Sequence, residues 1–232
     1  MIADGGFNAV AAAVPASTPE RLREIFGTLL AAHGHQDWWP ADTPFEVMLG
    51  AVLTQNTAWT NVEKALARLT ERIPLTPEAL LGLAETELAE LLRPVGYFNV
   101  KAARLRAFCA ALLEAGGEAA LAAEDTASLR RRLLAMHGIG PETADDILLY
   151  AFGRPVFVVD AYTRRLFVRL GVLEDGAGYE VIRGLFEQAL GPDTALFNEY
   201  HALIVRHAKD ICRARRPRCG DCVLRAQCPS AV

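Results

Sequence analysis

The stretch Met136-His137-Gly138-Ile139-Gly140-Pro141-Glu142-Thr143 decides the fold of this chain. Apolar residues recur at helical spacing before it, from about 127 to 136, and after it, from about 141 to 151. Proline is suited to the first turn of a helix, and glycine permits a tight turn before it. We therefore predict a helical hairpin. Its backbone N–H groups would hold a phosphate without base contacts; the alternative is an ordinary turn between helices with no ligand.

Helical spacing dominates the rest of the chain, so we predict an all-α fold. A first helix begins in Ser17-Thr18-Pro19-Glu20 and ends at Gly34. Further helices are predicted at about 44–53, 61–72, 77–83, 85–93, 100–115, 161–170, 178–190 and 194–212. One strand-like run is present, Val156-Phe157-Val158-Val159, and an isolated strand cannot form a sheet.

Four cysteines near the end of the chain have the spacing C-x6-C-x2-C-x5-C, at Cys212, Cys219, Cys222 and Cys228. Four thiolates so close in sequence can close around one inorganic centre, and this spacing predicts a [4Fe-4S] cluster. Zinc is the rival occupant, although the six- and five-residue gaps are unlike common zinc ribbons. The fifth cysteine, Cys109, stands in an apolar stretch and is predicted to be a core residue.

The cysteine segment is basic although the whole chain has a net charge of −4. From Arg206 to Arg225 there are seven Lys or Arg residues and two Asp residues. Such a segment would attract phosphate in a salt-sensitive manner, with Arg213, Arg215 and Arg216 as candidate contacts; a solvated charged face is the alternative. We therefore favour nucleic acid as the partner of this segment.

The 232 residues suffice for one large or two modest domains. No apolar run reaches the roughly 18 residues that a membrane span needs. Residues Met1 to Ala16 lack a basic region and are interpreted as a frayed leader, not a signal peptide. We therefore expect a reducing, cytoplasmic compartment, in which disulfides are rare.

Asp160 follows the apolar run and precedes a predicted helix. Its structural role would be that of a helix N-cap. A carboxylate at this position can also face a cleft and act in catalysis. The sequence leaves both roles open.

Together, the hairpin, the apolar run ending in Asp160 and the four-cysteine terminus resemble the endonuclease III family of helix-hairpin-helix DNA glycosylases. The resemblance implies two helical domains flanking a DNA-binding groove. An N-terminal helix within residues 1–40 would join residues 155–232 to form the cluster domain, and residues 41–154 would form a six-helix domain. It also implies a DNA N-glycosylase of base-excision repair, with a [4Fe-4S] cofactor, acting as a nucleoid-associated monomer on double-stranded DNA that contains damaged bases.

The same resemblance implies site residues, position by position. Asp160 lies at the position of the catalytic aspartate, and Gly138, Ile139 and Gly140 lie at the DNA-binding hairpin. Tyr97 lies at the tip of a loop that wedges into the duplex, and Gln55 or Asn56 at a second wedge that fills the gap left by a flipped base. A surface aromatic is the simpler interpretation of Tyr97.

Glu142 occupies the position at which bifunctional members of the family have a lysine. A carboxylate cannot form a Schiff base with an abasic sugar, so a monofunctional enzyme with absent or weak AP-lyase activity is expected. Glu142 also suits the first turn of the second hairpin helix, where negative charge is favourable.

Several motifs are similar to the 3-methyladenine DNA glycosylase III branch of the family, which also has a glutamate at this position. They are Phe45 to Thr57, Trp38-Trp39-Pro40, Arg93 to Asn99 and Val158 to Tyr162. This similarity places Trp39 (or Trp38), Trp59 and, loosely, Lys209 in a base pocket, and it favours cationic alkylated purines, which stack well on indole rings. The tryptophans would otherwise be core residues.

Two other functions remain open at this stage. One is removal of oxidised pyrimidines in the manner of endonuclease III, in which Lys101 or Lys64 would have to supply the displaced amine. The other is a non-catalytic DNA-binding or redox-sensing cluster protein.

Overall fold

The computed structural model describes residues 18–39 and 41–232. The predicted leader Met1 to Ala16, the first residue of the predicted helix start, Ser17, and Pro40 of the Trp-Trp-Pro motif lie outside the described residues. No helix in the described part is long and apolar enough to cross a membrane.

Every regular element in the described residues is a helix, which confirms the predicted all-α fold. The α-helices are α1 (Thr18–His33), α2 (Pro44–Leu53), α3 (Trp59–Arg72), α4 (Pro77–Gly82), α5 (Glu85–Leu91), α6 (Phe98–Glu114), α7 (Gly117–Ala122), α8 (Thr126–Ala135), α9 (Pro141–Asp146), α10 (Ala161–Arg169), α11 (Tyr179–Leu190) and α12 (Thr194–Asp210). Short 3-10 turns occupy Arg93–Val95, Cys219–Asp221 and Arg225–Gln227. Residues Val156 to Val159 are buried, and they form no strand in this part of the chain.

Two features of the helices differ from the prediction. Helix α7 was not predicted, because its six residues are too few to show helical spacing and it lacks the Thr-Pro start that marks the equally short α4. The second hairpin helix changes from α-helical to π-helical geometry over Ile147–Ala151, where Phe152 N donates to the Ile147 carbonyl. π-Turns of this kind occur frequently at functional sites, and sequence periodicity does not reveal them.

The described chain divides into two compact units. The hairpin unit comprises Gln36–Asp160 and Asp193–Ala202. The cysteine unit comprises residues 18–35, Ala161–Pro192 and Leu203–Val232.

Helix α2 forms the centre of the hairpin unit's core. Thr43 caps its N-terminus by accepting a hydrogen bond from Glu46 N at 3.2 Å. Its residues from Val47 to Leu53 are all buried, so the helix is apolar on every side. This packing fixes the C-terminal end of α2, and the loop that contains Gln55 and Asn56 begins there.

Candidate functional site

The predicted hairpin joins α8 to α9 in the hairpin unit. Gly138 has a φ of +85°, in the left-handed region that favours glycine. A Cβ atom at Gly138 would lie 2.8 Å from Cγ of Arg104, so the site also excludes a side chain sterically. The Ile139 N–H donates to the Met136 carbonyl at 3.2 Å, and the Ile139 side chain is buried. The turn is thus fixed from within.

Gln55 holds the hairpin against the α2–α3 loop. Its amide nitrogen lies 3.1 Å from the Gly138 carbonyl and 3.0 Å from Thr143 Oγ1. Its amide oxygen accepts a hydrogen bond from Arg104 at 2.7 Å. Of the two residues predicted at the second wedge, Gln55 is therefore the one whose side chain is hydrogen-bonded to other parts of the protein.

Asn56 and Tyr97 are the residues that project. Both have left-handed backbone conformations, with φ values of 55° and 46°, and both side chains are exposed, Tyr97 by 76%. They line a single cleft together with Gln55, Lys101 and Arg104. The structure thus brings the predicted wedge residues together on one surface.

Lys101 is buried within this unit and has a structural role. Its Nζ atom donates to the Leu53 carbonyl at 3.0 Å and to the Val95 carbonyl at 2.9 Å. Burial, with a contribution from nearby Arg104, lowers the pKa of Lys101 to about 8. The second candidate amine, Lys64, is exposed on α3.

An aromatic cluster lies against α2 at Gly50. The rings of Trp39 and Trp59 meet edge to face, with centroids 4.9 Å apart, and Trp39 also lies 5.0 Å from the ring of Tyr150. A Cβ atom at Gly50 would come within 3.0 Å of Trp39 and 3.2 Å of Trp59. The absence of a side chain at Gly50 therefore permits the two indoles to pack on α2. Trp38 joins the cluster through its contact with Trp39, at a centroid separation of 6.2 Å.

A buried polar line leads from this cluster to Asp160. The Tyr150 hydroxyl lies 2.5 Å from Nδ1 of His201, and Nε2 of His201 lies 3.6 Å from Oδ2 of Asp160. Asp160 and His201 are 8% and 5% exposed. Asp160 is thus a nearly buried carboxylate that lies next to His201.

Further acidic groups surround the same region. Asp145 is fully buried and is paired with Arg130 at 2.7 Å. Asp146 is buried as well, and its pKa is raised well above the usual value by burial and then by the negative charges of Glu142, Asp160 and Asp145. Burial, followed by nearby carboxylates, likewise raises the pKa of Tyr150, so this phenol keeps its proton. Asp146 thus has three other carboxyl groups near it, those of Glu142, Asp145 and Asp160.

In the cysteine unit the four predicted ligands line one cavity. Its walls include Cys212, Cys219, Cys222 and Cys228. Burial raises the pKa of the Cys222 thiol, and the other three cysteines raise it further. No three His, Cys, Asp or Glu side chains within residues 18–39 and 41–232 are arranged so as to hold a single metal ion.

Two neighbouring side chains lie within hydrogen-bonding distance of these sulfurs. Arg169 Nη1 lies 3.3 Å from Cys212 Sγ, and His207 Nε2 lies 3.4 Å from Cys222 Sγ. His207 is fully buried and also contacts His33 at 3.0 Å. Burial, and then His33, lowers the pKa of His207 to about 4, which keeps this ring neutral.

The predicted DNA-contacting arginines of this unit, Arg213, Arg215 and Arg216, are exposed. Lys209 is exposed in the last turn of α12. Glu142 is exposed in the first turn of α9, as expected for its position at a helix N-terminus.

Tyr150, His201 and Asp146 were not among the predicted site residues. Tyr150 and the pair Asp145-Asp146 interrupt a segment that is otherwise apolar, Ala144 to Ala151, and this was the available signal. His201 is about forty residues from Asp160 in sequence, so its proximity emerges only from the folded chain.

Comparison with known proteins gives consistent matches. Residues 49–192 match the HhH-GPD superfamily of base excision DNA repair proteins. A protein of Methanocaldococcus jannaschii that is provisionally named a DNA repair glycosylase is 46% identical over 214 residues, which cover 91% of this chain and 97% of that one.

Two solved structures are also similar. A non-covalent complex of endonuclease III with DNA has a TM-score of 0.80 at 23% identity, covering 92% of this chain and 96% of that one, which shows a shared fold. The Helicobacter pylori 3-methyladenine DNA glycosylase MagIII bound to 1,N6-ethenoadenine has a TM-score of 0.70 at 30% identity, covering 83% of this chain and 97% of that one. The chain therefore belongs to the HhH-GPD superfamily, and within it to the base-excision DNA glycosylases.

Proposed function

We propose that this protein is a monofunctional DNA glycosylase that removes alkylated purines from double-stranded DNA. The observation that carries this proposal is the continuous line from an aromatic cluster to a buried carboxylate. Trp39 packs against Tyr150, Tyr150 hydrogen-bonds His201, and His201 faces Asp160. A planar cationic base would need the aromatic cluster at one end, and its sugar would need the carboxylate at the other.

In this proposal Asp160 is the catalytic residue. A base within a duplex must first leave the stack to be reached, and exposed Asn56 and Tyr97 would fill the vacated space. Cleavage of the C1′–N bond leaves a positive, oxocarbenium-like sugar, which the ionised Asp160 carboxylate would stabilise while directing a water molecule. The Nε2 side of the His201 ring would face this carboxylate.

The aromatic cluster supplies the preference for alkylated purines. N3- or N7-alkylated purines carry a positive charge, so they are good leaving groups and attract the face of an indole ring. Trp39 and Trp59 are the stacking candidates, and Lys209 is retained as a looser candidate. The similarity to MagIII, which is 30% identical and is named a 3-methyladenine DNA glycosylase, supports this substrate class.

The absence of strand cleavage is expected because of Glu142. No amine is present at the position that bifunctional relatives use for a Schiff base. Lys101 is a poor substitute because its Nζ is held by two main-chain carbonyls within the core. Removal of oxidised pyrimidines with weak lyase activity is the second candidate, and covalent trapping by borohydride on thymine-glycol DNA would favour it.

We also propose that the four cysteines hold a [4Fe-4S] cluster. They line one cavity, and the C-x6-C-x2-C-x5-C spacing suits such a cluster better than it suits the zinc ribbons that bind through shorter gaps. Burial, and then the other three cysteines, raise the pKa of Cys222, and bound iron would favour its thiolate form. The cluster would give the loop a fixed shape, and the exposed Arg213, Arg215 and Arg216 would then contact DNA phosphates together with the Gly138–Gly140 hairpin.

A panel of base-release assays tests the proposed function. Purified protein, assayed for iron, sulfide and zinc, is incubated with duplexes containing 3-methyladenine, 1,N6-ethenoadenine, thymine glycol, uracil, or adenine opposite 8-oxoguanine. We expect release of the alkylated purine with the DNA strand left intact until alkali is added. Release of thymine glycol alone, with strand cleavage, would contradict the proposal. Binding of all duplexes without release of any base would instead favour a non-catalytic DNA-binding protein.

A further inference from the structure

We infer that His201 is a positioning residue for Asp160 and that Tyr150 sets the tautomer in which His201 acts. This inference rests on the proposed function, because it names two further residues of the same site. It starts from the line of contacts described above, in which His201 has Tyr150 on one ring nitrogen and Asp160 on the other.

The tautomer of His201 follows from which atoms of Tyr150, His201 and Asp160 carry protons. The Tyr150 phenol stays protonated, and at 2.5 Å its hydroxyl and Nδ1 of His201 share one proton between them. If Nδ1 carried the only ring proton, the bare lone pair of Nε2 would face the carboxylate oxygen of Asp160, which is repulsive. Donation from Tyr150 to Nδ1 leaves the proton on Nε2, where it points at Asp160 Oδ2.

We expect the contact between His201 and Asp160 to tighten during the reaction. The separation of 3.6 Å between Nε2 and Oδ2 is slightly longer than a hydrogen bond, and Nε2 is buried with no hydrogen-bond partner among the described residues. Hydrogen bonds at catalytic sites are often long before substrate binds and shorten in the reacting complex. His201 would thus hold one carboxylate oxygen in place while the Asp160 charge acts on the sugar.

The positions of the two residues in the fold support this role. Tyr150 is in the π-helical turn Ile147–Ala151, which alters the direction of side chains relative to a regular helix. His201 is in the part of α12 that belongs to the same unit as Asp160, and it is only 5% exposed. The same Tyr150 ring packs against Trp39, so the aromatic cluster and the catalytic carboxylate are joined through two side chains.

A double-mutant cycle with single-turnover base release tests the inference. The variants are His201→Leu, His201→Gln, Tyr150→Phe, Asp160→Asn and the combination of His201→Leu with Asp160→Asn. Each is checked for folding by thermal unfolding and for binding to an uncleavable abasic-site duplex.

We expect His201→Leu to slow base release by about tenfold or more, the size typical of one lost hydrogen bond to a charged group, with duplex affinity unchanged. His201→Gln should recover part of this loss because its amide N–H can also donate to a carboxylate. Tyr150→Phe should slow release by a smaller factor, because His201 can then adopt either tautomer but keeps its ring beside Asp160. In the Asp160→Asn background, His201→Leu should have no further effect.

Equal losses from His201→Leu in both backgrounds would overturn the inference, since His201 would then act independently of Asp160. Wild-type rates in His201→Leu and Tyr150→Phe would overturn it as well. If His201→Leu fails to fold, the conservative Tyr150→Phe and His201→Gln variants decide the outcome by the same criteria. A wild-type protein that releases no base would contradict the proposed function itself. A wild-type protein that releases the base at the same rate as the His201 variants would contradict the inference alone.

Discussion

The side-chain amide of Gln55 donates a hydrogen bond to the main-chain carbonyl of Gly138, at 3.1 Å, across 83 residues of sequence. The same amide reaches Thr143 and accepts from Arg104, so one side chain joins the α2–α3 loop to the hairpin turn, to α9 and to α6. The projecting wedge and the phosphate-binding turn of the proposed site are therefore held in register by Gln55.

Replacement of Gln55 by leucine should release the hairpin. The Gly138 carbonyl and the Arg104 guanidinium would each lose a partner, so we expect a loss of about 1–3 kcal/mol in the free energy of unfolding and weaker DNA binding. Chemical denaturation and a duplex-binding assay measure both effects.

Asn56→Gly is the matched control. Asn56 is adjacent in sequence, exposed, and has a positive φ that glycine adopts without strain, so stability should change by no more than about 0.5 kcal/mol while base release slows. A Gln55→Leu variant as stable as Asn56→Gly would show that Gln55 does not hold the hairpin.

Gly50→Ala should disrupt the aromatic cluster. The new methyl group would lie 3.0 Å from Trp39 and 3.2 Å from Trp59, so both partly buried indoles would have to shift. We expect a destabilisation of about 1–3 kcal/mol, together with slower release of alkylated purines.

Gly82→Ala provides the control in the same unit, because nothing in the described part of the chain lies within 4 Å of a Cβ atom there. This variant should keep the wild-type melting temperature and activity. Normal stability and activity in Gly50→Ala would contradict the proposed role of Trp39 and Trp59.

Glu142→Lys should introduce strand cleavage. On the proposed correspondence, the substitution places an amine at the lyase-lysine position, so borohydride should trap the variant on abasic-site DNA. Wild-type protein and the neutral Glu142→Gln variant should not be trapped. Trapping of the wild-type protein would instead show that another amine already acts as a lyase.

Asp146→Asn should increase stability, and the gain should grow with pH. The folded state favours the neutral carboxyl, because burial and neighbouring carboxylates raise the pKa of Asp146 well above its usual value. Folded protein therefore binds a proton more tightly than unfolded protein does, and stability is lost as pH rises above the unfolded pKa, about 3.9, through the folded pKa.

The asparagine side chain is neutral at every pH and removes this loss. The melting temperatures of the two proteins should be similar near pH 4 and diverge toward pH 8, with each 1 kcal/mol corresponding to about 2–4 °C in a chain of this size. A difference that shrinks as pH rises would indicate that Asp146 is ionised and paired in the folded protein.

Sequence patterns predicted the helices well because apolar spacing dominates them. Helix α2 was predicted at its observed limits, since a proline in its first turn and the preceding threonine mark its start. The π-turn at Ile147–Ala151 and the short α7 were not predicted, because both depend on local hydrogen bonding that leaves no periodic trace.

The site was predictable where it consists of short motifs and not where it depends on distant contacts. Gly138 and the four cysteines are recognisable from spacing within a few residues. The sequence left both Gln55 and Asn56 as candidates for the wedge, and that role stays a prediction; in the structure Gln55 is hydrogen-bonded and Asn56 is exposed. His201 is far from Asp160 in sequence, and a single sequence contains no signal of that proximity.

Base release by the wild-type protein and by the Asp160→Asn variant, on a duplex containing an alkylated purine, tests the proposed activity most directly. Removal of the negative charge should slow release by on the order of a hundredfold to a thousandfold, while the variant still binds the duplex as tightly as the wild type. Equal rates of base release in the two proteins would show that this carboxylate does not perform the chemistry.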